Sequence, residues 1–233
     1  MILDIKNSKN VNMAADIYAI GDIHGNLDLL QRLLEKIQPD LARDRLIFMG
    51  DYIDRGPTPR GVVDYVLDLK RQTQPQEVIC LKGNHEAMFL NFLQGRDVEL
   101  FLYNGGLNTL RDYWGEDWER RDQLVLPPEH RKFFEGLRLY YETPDYLFVH
   151  GGLKPGIPPA EQDEEDLLWI RGDFIASLED FGKKIIFGHT PFQQPLVMPN
   201  KIGIDTGAAY GNRLTCLKLP REEFISVGHE SGG

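Results

Sequence analysis

Two cysteines, Cys80 and Cys216, are all that 233 residues contain, too few for a disulfide framework and without the paired spacing of a zinc motif. Both lie in apolar runs, so buried structural thiols in a reducing compartment are expected. No apolar run approaches the roughly 18 residues of a membrane span, and Met1 to Ala15 lacks the basic start and apolar stretch of a secretory signal. A cytoplasmic protein with no membrane partner is expected. Positive charge is also scarce: 26 Lys and Arg stand against 36 Asp and Glu, for a net charge of -10. That balance argues against a nucleic acid held through its phosphates, so no nucleic-acid partner is expected and any phosphate must be gripped locally. With 42% hydrophobic residues, the chain is large enough for one self-sufficient core, which excludes collagen-like, low-complexity and disordered classes.

Short β-rich runs recur at Ile17 to Ile20, Arg45 to Met49, Val78 to Leu81, Tyr146 to Val149, Lys184 to Phe187, Lys201 to Ile204, Arg213 to Leu219 and Phe224 to Val227, and read as strands. After the first, Leu30, Leu33, Leu34 and Ile37 repeat with helical spacing, with Asn26 as N-cap and Pro39 beyond the end. After the second, Thr58-Pro59 opens a helix with Val62, Val63, Val66 and Leu67 on its apolar face. Met88, Phe89, Phe92 and Leu93 mark a third. The order β-α-β-α-β-α, followed by closely spaced late strands pairing as a meander, predicts an α/β domain of two packed sheets with helices outside. A single domain over 16–228 is expected, with tails at 1–15 and 229–233. The stretch 94–144 carries Asn104-Gly105-Gly106, Trp114, Trp118 and Pro127-Pro128 and reads as a small helical cap insertion.

The chemistry sits where strands end. The first runs into Gly21-Asp22-Ile23-His24-Gly25-Asn26, the second into Gly50-Asp51-Tyr52-Ile53-Asp54-Arg55-Gly56, and the third into Gly83-Asn84-His85-Glu86. Later ends read His150-Gly151-Gly152 and Gly188-His189-Thr190. Ligands in open α/β sheets bind outside the carboxyl ends of strands, so these loops are expected to converge. Asp22 and His24, two apart, leave an extended backbone on the same side. With Asp51, Asn84, His150 and His189 they make six oxygen or nitrogen ligands, more than one small cation takes while keeping room for water. Two metals fit better, bridged by a carboxylate such as Asp51. Two divalent ions outweigh Asp22 and Asp51, so the centre stays positive, and Arg55 with Arg171 adds bidentate donors for phosphoryl oxygens.

A lone Gly-Asp is usually a turn and a lone histidine usually structural, but four of the six histidines fall in glycine-flanked strand ends. His130 and His229 lie in polar stretches without partners and receive no role. Tyr210 is read as packed. The acidic run Glu161, Asp163, Glu164, Glu165, Asp166 reads as a solvated loop or first helical turn, with a preference for substrates carrying basic residues beside the phosphate as a second reading.

The ordered set of motifs, GDIHGN, GDYIDRG, GNHE, HGG and FGHTP, resembles the phosphoprotein phosphatase family of calcineurin-like metallophosphoesterases, in particular its bacterial and lambda-phage members. The resemblance spans about Asp16 to Thr215. It implies a four-layer α/β/β/α sandwich and a dinuclear centre of manganese, with iron or zinc as the other candidates. It further implies hydrolysis of phosphomonoesters on serine and threonine, and in some members tyrosine, of a phosphorylated protein or peptide. Carried over by position, it makes Asp22 and His24 ligands of one metal, Asn84, His150 and His189 ligands of the other, and Asp51 the bridge. His85 becomes the general acid, oriented by Asp54, while Arg55 and Arg171 hold the phosphate. The residues agree with that scheme: metal lowers the pKa of a bound water toward 7 for in-line attack, and a carboxylate beside an imidazole raises and fixes its charged form.

Two rivals stand beside this reading. A bacterial dinucleoside tetraphosphate hydrolase resembles the chain even in the DTG of Asp205-Thr206-Gly207, although Asp54 and Gly151 favour a phosphoprotein. A metal-bound scaffold without turnover is the alternative of another class. Oligomeric state is not legible.

Overall fold

The computed structural model describes residues 15–74, 77–120 and 123–229. The expected amino-terminal tail lies outside the described residues but for Ala15, and the expected carboxy-terminal tail but for His229. In chain order the strands are β1 (Ile17–Ile20), β2 (Arg45–Phe48), β3 (Val78–Cys80), β4 (Tyr140–Glu142), β5 (Tyr146–Val149), β6 (Lys184–Phe187), β7 (Leu196–Val197), β8 (Lys201–Gly203), β9 (Arg213–Leu219) and β10 (Glu223–Gly228). The helices are α1 (Leu27–Ile37), α2 (Pro59–Arg71), α3 (Asn84–Leu93), α4 (Val98–Phe101), α5 (Leu107–Trp114), α6 (Pro128–Glu135), α7 (Glu164–Trp169) and α8 (Gly172–Ala176). No helix among the described residues is long and apolar enough to cross a membrane.

The strands form two sheets, ordered β10-β9-β1-β2-β3 and β4-β5-β6-β8-β7. In the first, β1, β2 and β3 run parallel, with Ile17 opposite Arg45 and Leu46 opposite Val78. Parallel neighbours need crossovers, and α1 and α2 supply them, so every turn from strand to helix falls at the same edge. In the second, β5, β6 and β8 run parallel in the same way.

Alternation along each strand decides the layers. Ala19, Ile47 and Ile79 face inward and meet Phe148, Ile186 and Ile202 of the second sheet. Their neighbours Tyr18, Ile20, Leu46, Phe48 and Val78 face outward under α1 and α2. On the far side, Leu147, Val149, Ile185 and Phe187 pack with Leu167 of α7 and Phe174 of α8. The result is helix, sheet, sheet, helix, the expected α/β fold. Each fully buried large side chain contributes about 1.5–3 kcal/mol relative to leaving it in water.

Local expectations hold unevenly. α1 buries Leu30, Leu33, Leu34 and Ile37 as expected, but Asn26 makes no cap bond. Its Nδ2 donates instead to the Ile23 and His24 carbonyls at 2.7 and 2.9 Å, bracing the site loop. In α2 the apolar face turns through Leu69. The late strands are not one meander: β8 joins the second sheet, while β9 crosses to pair with β1 in the first. β4 and β7 carry no sequence signal, being edge strands of three and two residues. The stretch 94–144 carries helices α4, α5 and α6 and then supplies β4. Within it His130 is buried, its ring 2.7 Å from the Tyr113 hydroxyl and 2.8 Å from Asp64 Oδ1. The expectation that His130 lacks partners is therefore wrong. Polar neighbours in sequence concealed the inner face of α6, where His130, Phe133 and Phe134 are all buried. His229 also has a partner, the Ala208 carbonyl at 3.0 Å.

Candidate metal centre and active site

Five loops meet at the shared edge of the strands. The first two are joined along their backbones: Ile23 and His24 donate to the Asp51 carbonyl at 3.1 and 2.8 Å, and Gly25 donates to the Tyr52 carbonyl at 2.8 Å. Eight non-glycine residues among those described have positive φ, and His24, Asp51, Asp54, Arg55 and His189 are five of them. Such conformations cost on the order of 1–3 kcal/mol each and persist where surrounding structure holds them. His24, with φ of 47°, is not on the extended backbone expected from its spacing to Asp22.

Asp51 stands at the centre. Its Oδ2 lies 3.3 Å from His24 Nε2 and 3.9 Å from His85 Nε2, while Oδ1 lies 3.4 Å from His150 Nε2. Ligand atoms of His24, Asp51 and His85 lie within 4.8 Å of one another, as do those of Asp51, His150 and His189. Asn84 Oδ1 completes the second group, 2.9 Å from His150 Nε2 and 3.0 Å from His189 Nδ1. Asp22 falls outside both compact groups, although its Oδ2 accepts the His189 N–H at 2.9 Å. His85, expected as an acid rather than a ligand, is within coordinating reach of the first group.

The donors are arranged as a cation requires. His24 Nδ1 and His150 Nδ1 donate to the carbonyls of Ile53 and Met49, each at 2.9 Å. That leaves both Nε2 lone pairs facing inward, the usual tautomer of a ligating histidine. Asp22 Oδ1 is buried with no hydrogen-bond partner among the described residues. A side chain at Gly188 would collide with that same oxygen, so the loop must approach as bare backbone. Burial, and after it the Asp205 and Asp51 charges, push the Asp22 carboxyl well above the usual range. Burial alone would raise Asp51 too, yet His150, His85 and His24 hold it well below. Burial and then the neighbouring His150 push His189 down to about 2, leaving it a neutral donor. Crowded carboxylates, an orphaned oxygen and inward lone pairs fit divalent cations held by nitrogen and oxygen.

Around this centre, His85 Nδ1 lies 2.6 Å from Asp54 Oδ2. Thr109 of α5 holds the same carboxylate, its hydroxyl bonding Oδ1 while accepting the Asp54 N–H at 3.0 Å. Arg55 NH1 donates to His24 Nε2 at 2.7 Å and Arg171 Nε to His189 Nε2 at 2.9 Å, so each expected phosphate-binding arginine stands at one donor group. Gly105 lies against Arg55 and accepts its N–H at 3.2 Å. All ten residues singled out from the sequence are thus assembled in one place.

Two buried acids were missed. Glu86 accepts the N–H groups of Asp51, Tyr52 and Gly83 at 2.9, 2.8 and 3.0 Å. Its signal was a glutamate three residues after Gly83, the spacing of a capping box. Asp205 faces Asp22 electrostatically and accepts the Gly207 N–H at 2.9 Å; the sequence marked it only as part of the DTG shared with dinucleoside hydrolases. Tyr210 corrects another expectation, since it is 63% exposed and its ring lies 5.2 Å from the Arg55 guanidinium carbon. Of the acidic run, Glu164, Glu165 and Asp166 form the first turn of α7, where Glu164 pairs with Lys82 and Asp166 with Lys154.

A profile of the calcineurin-like phosphoesterase family matches residues 15–231. A bis(5'-nucleosyl)-tetraphosphatase PrpE (asymmetrical) of Oceanobacillus iheyensis is 28% identical, over 89% of this chain and 90% of its own. The protein of the same name in Anoxybacillus flavithermus is 27% identical, over 89% and 92%. These names match the dinucleoside alternative better than the protein phosphatase favoured from sequence. Among solved structures, one provisionally described as a diadenosine tetraphosphatase superposes with a TM-score of 0.74 at 22% identity, over 95% and 96% of the two chains. A protein serine/threonine phosphatase of Saccharomyces cerevisiae gives 0.64 at 17%, over 96% and 82%. Those two likenesses speak for the fold alone.

Proposed function

The chain belongs to the calcineurin-like phosphoesterase family, and from that premise we propose that it is a metal-dependent hydrolase of dinucleoside polyphosphates, cleaving a bis(5'-nucleosyl) tetraphosphate asymmetrically. The names carried by relatives that align over nearly their whole length support the substrate class. The observation that carries the chemistry is Asp51, whose two oxygens face separate groups of imidazoles. His24 and Asp22 would hold one cation and Asn84, His150 and His189 the other, with Asp51 between them. Cations bound there supply Lewis acidity and lower the pKa of water toward neutrality. Manganese remains the proposed metal.

The chain's own groups do the rest. Arg55 and Arg171, one at each donor group, would grip successive anionic oxygens of a polyphosphate with charge-assisted bonds. Water oxygen bonds to phosphorus and the bridging P–O bond breaks, releasing a nucleoside monophosphate and a nucleoside triphosphate. A polyphosphate leaves readily as an anion. His85, with Asp54 behind it, can deliver a proton where the departing oxygen needs one.

That last pair favours a second reading, a phosphomonoesterase acting on phosphorylated serine, threonine or tyrosine, because an alkoxide leaves badly unless protonated. Comparing kcat/KM for diadenosine tetraphosphate, a phosphoserine peptide and a phosphotyrosine peptide, all with manganese, separates the two. Preference for the dinucleotide is expected. Preference for a phosphopeptide restores the protein phosphatase, and a metal-loaded protein inert toward all three leaves only a scaffold.

A further inference from the structure

Beside the donor groups, the segment after β6 around Pro191 to Gln194 and the turn from Gly207 to Arg213 enclose an open crevice of about 530 Å³. That is within the range of small-molecule sites. Its walls are stretches of chain that lead directly out of the centre. Pro191 follows His189 by two residues and Gly207 follows Asp205 by two, and the Phe192 N–H donates to the Asp205 carbonyl at 3.0 Å. Tyr210 ends a short helical turn between Gly207 and Gly211, with φ of 74° and 81°, and this left-handed pair sets the ring on the crevice wall. The ring is 63% exposed and has the Arg55 guanidinium over one face, and that guanidinium donates to His24 Nε2. Aromatic face, cation and metal donors therefore follow one another along a single track.

The lining is polar, with Gln193, Gln194 and Asn212 among its residues; side-chain amides both donate and accept, and Asn212 Nδ2 also donates to the Gln193 carbonyl at 3.2 Å. A flat exposed ring next to mixed donors and acceptors suits a group with a π face and a hydrogen-bonding edge. Nucleobases have both. We propose that this crevice is a nucleoside subsite in which Tyr210 stacks on the base of the nucleotide whose phosphates lie across Arg55, while Gln193 and Asn212 bond its edge. The inference rests on the dinucleoside polyphosphate reading above.

The test compares wild type, Tyr210→Phe and Tyr210→Ala, each loaded with manganese. Calorimetry measures adenosine monophosphate against inorganic phosphate, and kinetics measures diadenosine tetraphosphate against an aryl phosphate. Wild type and Tyr210→Phe should bind the nucleotide about tenfold or more tighter than phosphate, the range expected for one stacked base. Tyr210→Ala should lose most of that margin and, in parallel, about tenfold of its kcat/KM ratio for dinucleotide over aryl phosphate. A wild type that binds both ligands equally, or a Tyr210→Ala variant that keeps both ratios, overturns the subsite. A Tyr210-dependent nucleotide preference in a protein that does not hydrolyse the dinucleotide keeps the subsite and overturns the function proposed above. Turnover of the dinucleotide with unchanged ratios does the reverse.

Discussion

His85 Nδ1 and Asp54 Oδ2 are 2.6 Å apart in a site where both residues are buried. Burial raises the Asp54 carboxyl to about 8 despite the Thr109 hydroxyl, and burial pushes His85 well below its ordinary value. Both shifts favour the uncharged forms, not the charged imidazolium expected from the sequence. In the reaction proposed above, the imidazole N–H is the proton a leaving oxygen would take.

The consequence is a dependence on leaving group. His85→Asn should slow a phosphoserine peptide by about 10²–10⁴-fold, the usual worth of a positioned acid, and slow an aryl phosphate or a dinucleoside tetraphosphate far less. Steady-state rates on the three substrates decide it. Equal losses on all three would remove His85 from the role of acid.

Asp51→Asn addresses the centre itself. The variant keeps the volume but removes the charge shared by the His24 and His150 sides. It should weaken metal binding by more than the roughly 10–100-fold typical of losing an outer-shell partner, and abolish phosphate release. Manganese titrations followed by calorimetry and by melting temperature measure this; a variant that still gains wild-type thermal stability from manganese would show Asp51 is no ligand.

Much of this site was legible because its chemistry needs residue types that stand out locally. Asp22, His24, Asp51, Asn84, His150 and His189 lie beside glycines at the ends of β1, β2, β3, β5 and β6, and parallel topology brings those ends to one edge. What stayed hidden depends on three-dimensional neighbours. Asp205 is ordinary until the crossing of β9 brings its turn to Asp22. Tyr210 was read as packed because hydrophobicity does not reveal which side of a turn faces water. β4 and β7 were lost because short edge strands bury too little to impose alternation.

Glu86 yields a stability prediction. One carboxylate serves four backbone N–H groups from two loops, Ile53 the most distant at 3.4 Å, and Gln in its place turns an NH₂ group toward donors. Leaving buried donors unsatisfied costs about 1–3 kcal/mol each. Glu86→Gln should therefore lose roughly 2–4 kcal/mol in urea unfolding and bind manganese more weakly, since the Asp51 backbone loses its anchor. A urea midpoint and manganese affinity both at wild-type values would show that the loop is held by other means.

Lys201 offers a pH test away from the metal centre. It is fully buried, its Nζ donates to the Phe174 and Ser177 carbonyls, and it lies 4.3 Å from the Phe174 ring centroid. No carboxylate among the described residues pairs with it. Burial alone lowers its pKa. Between that lowered value and the unfolded value of about 10.4, the unfolded chain binds more protons than the folded one, so stability contributed by this group rises with pH. Lys201→Met removes the titration and leaves two carbonyls short of a donor, at a cost of about 1–3 kcal/mol. Urea midpoints of both proteins at pH 7.5 and 10 should show the wild type's advantage growing at the higher pH. An advantage that shrinks or stays constant would mean that the folded protein does not disfavour the ammonium form.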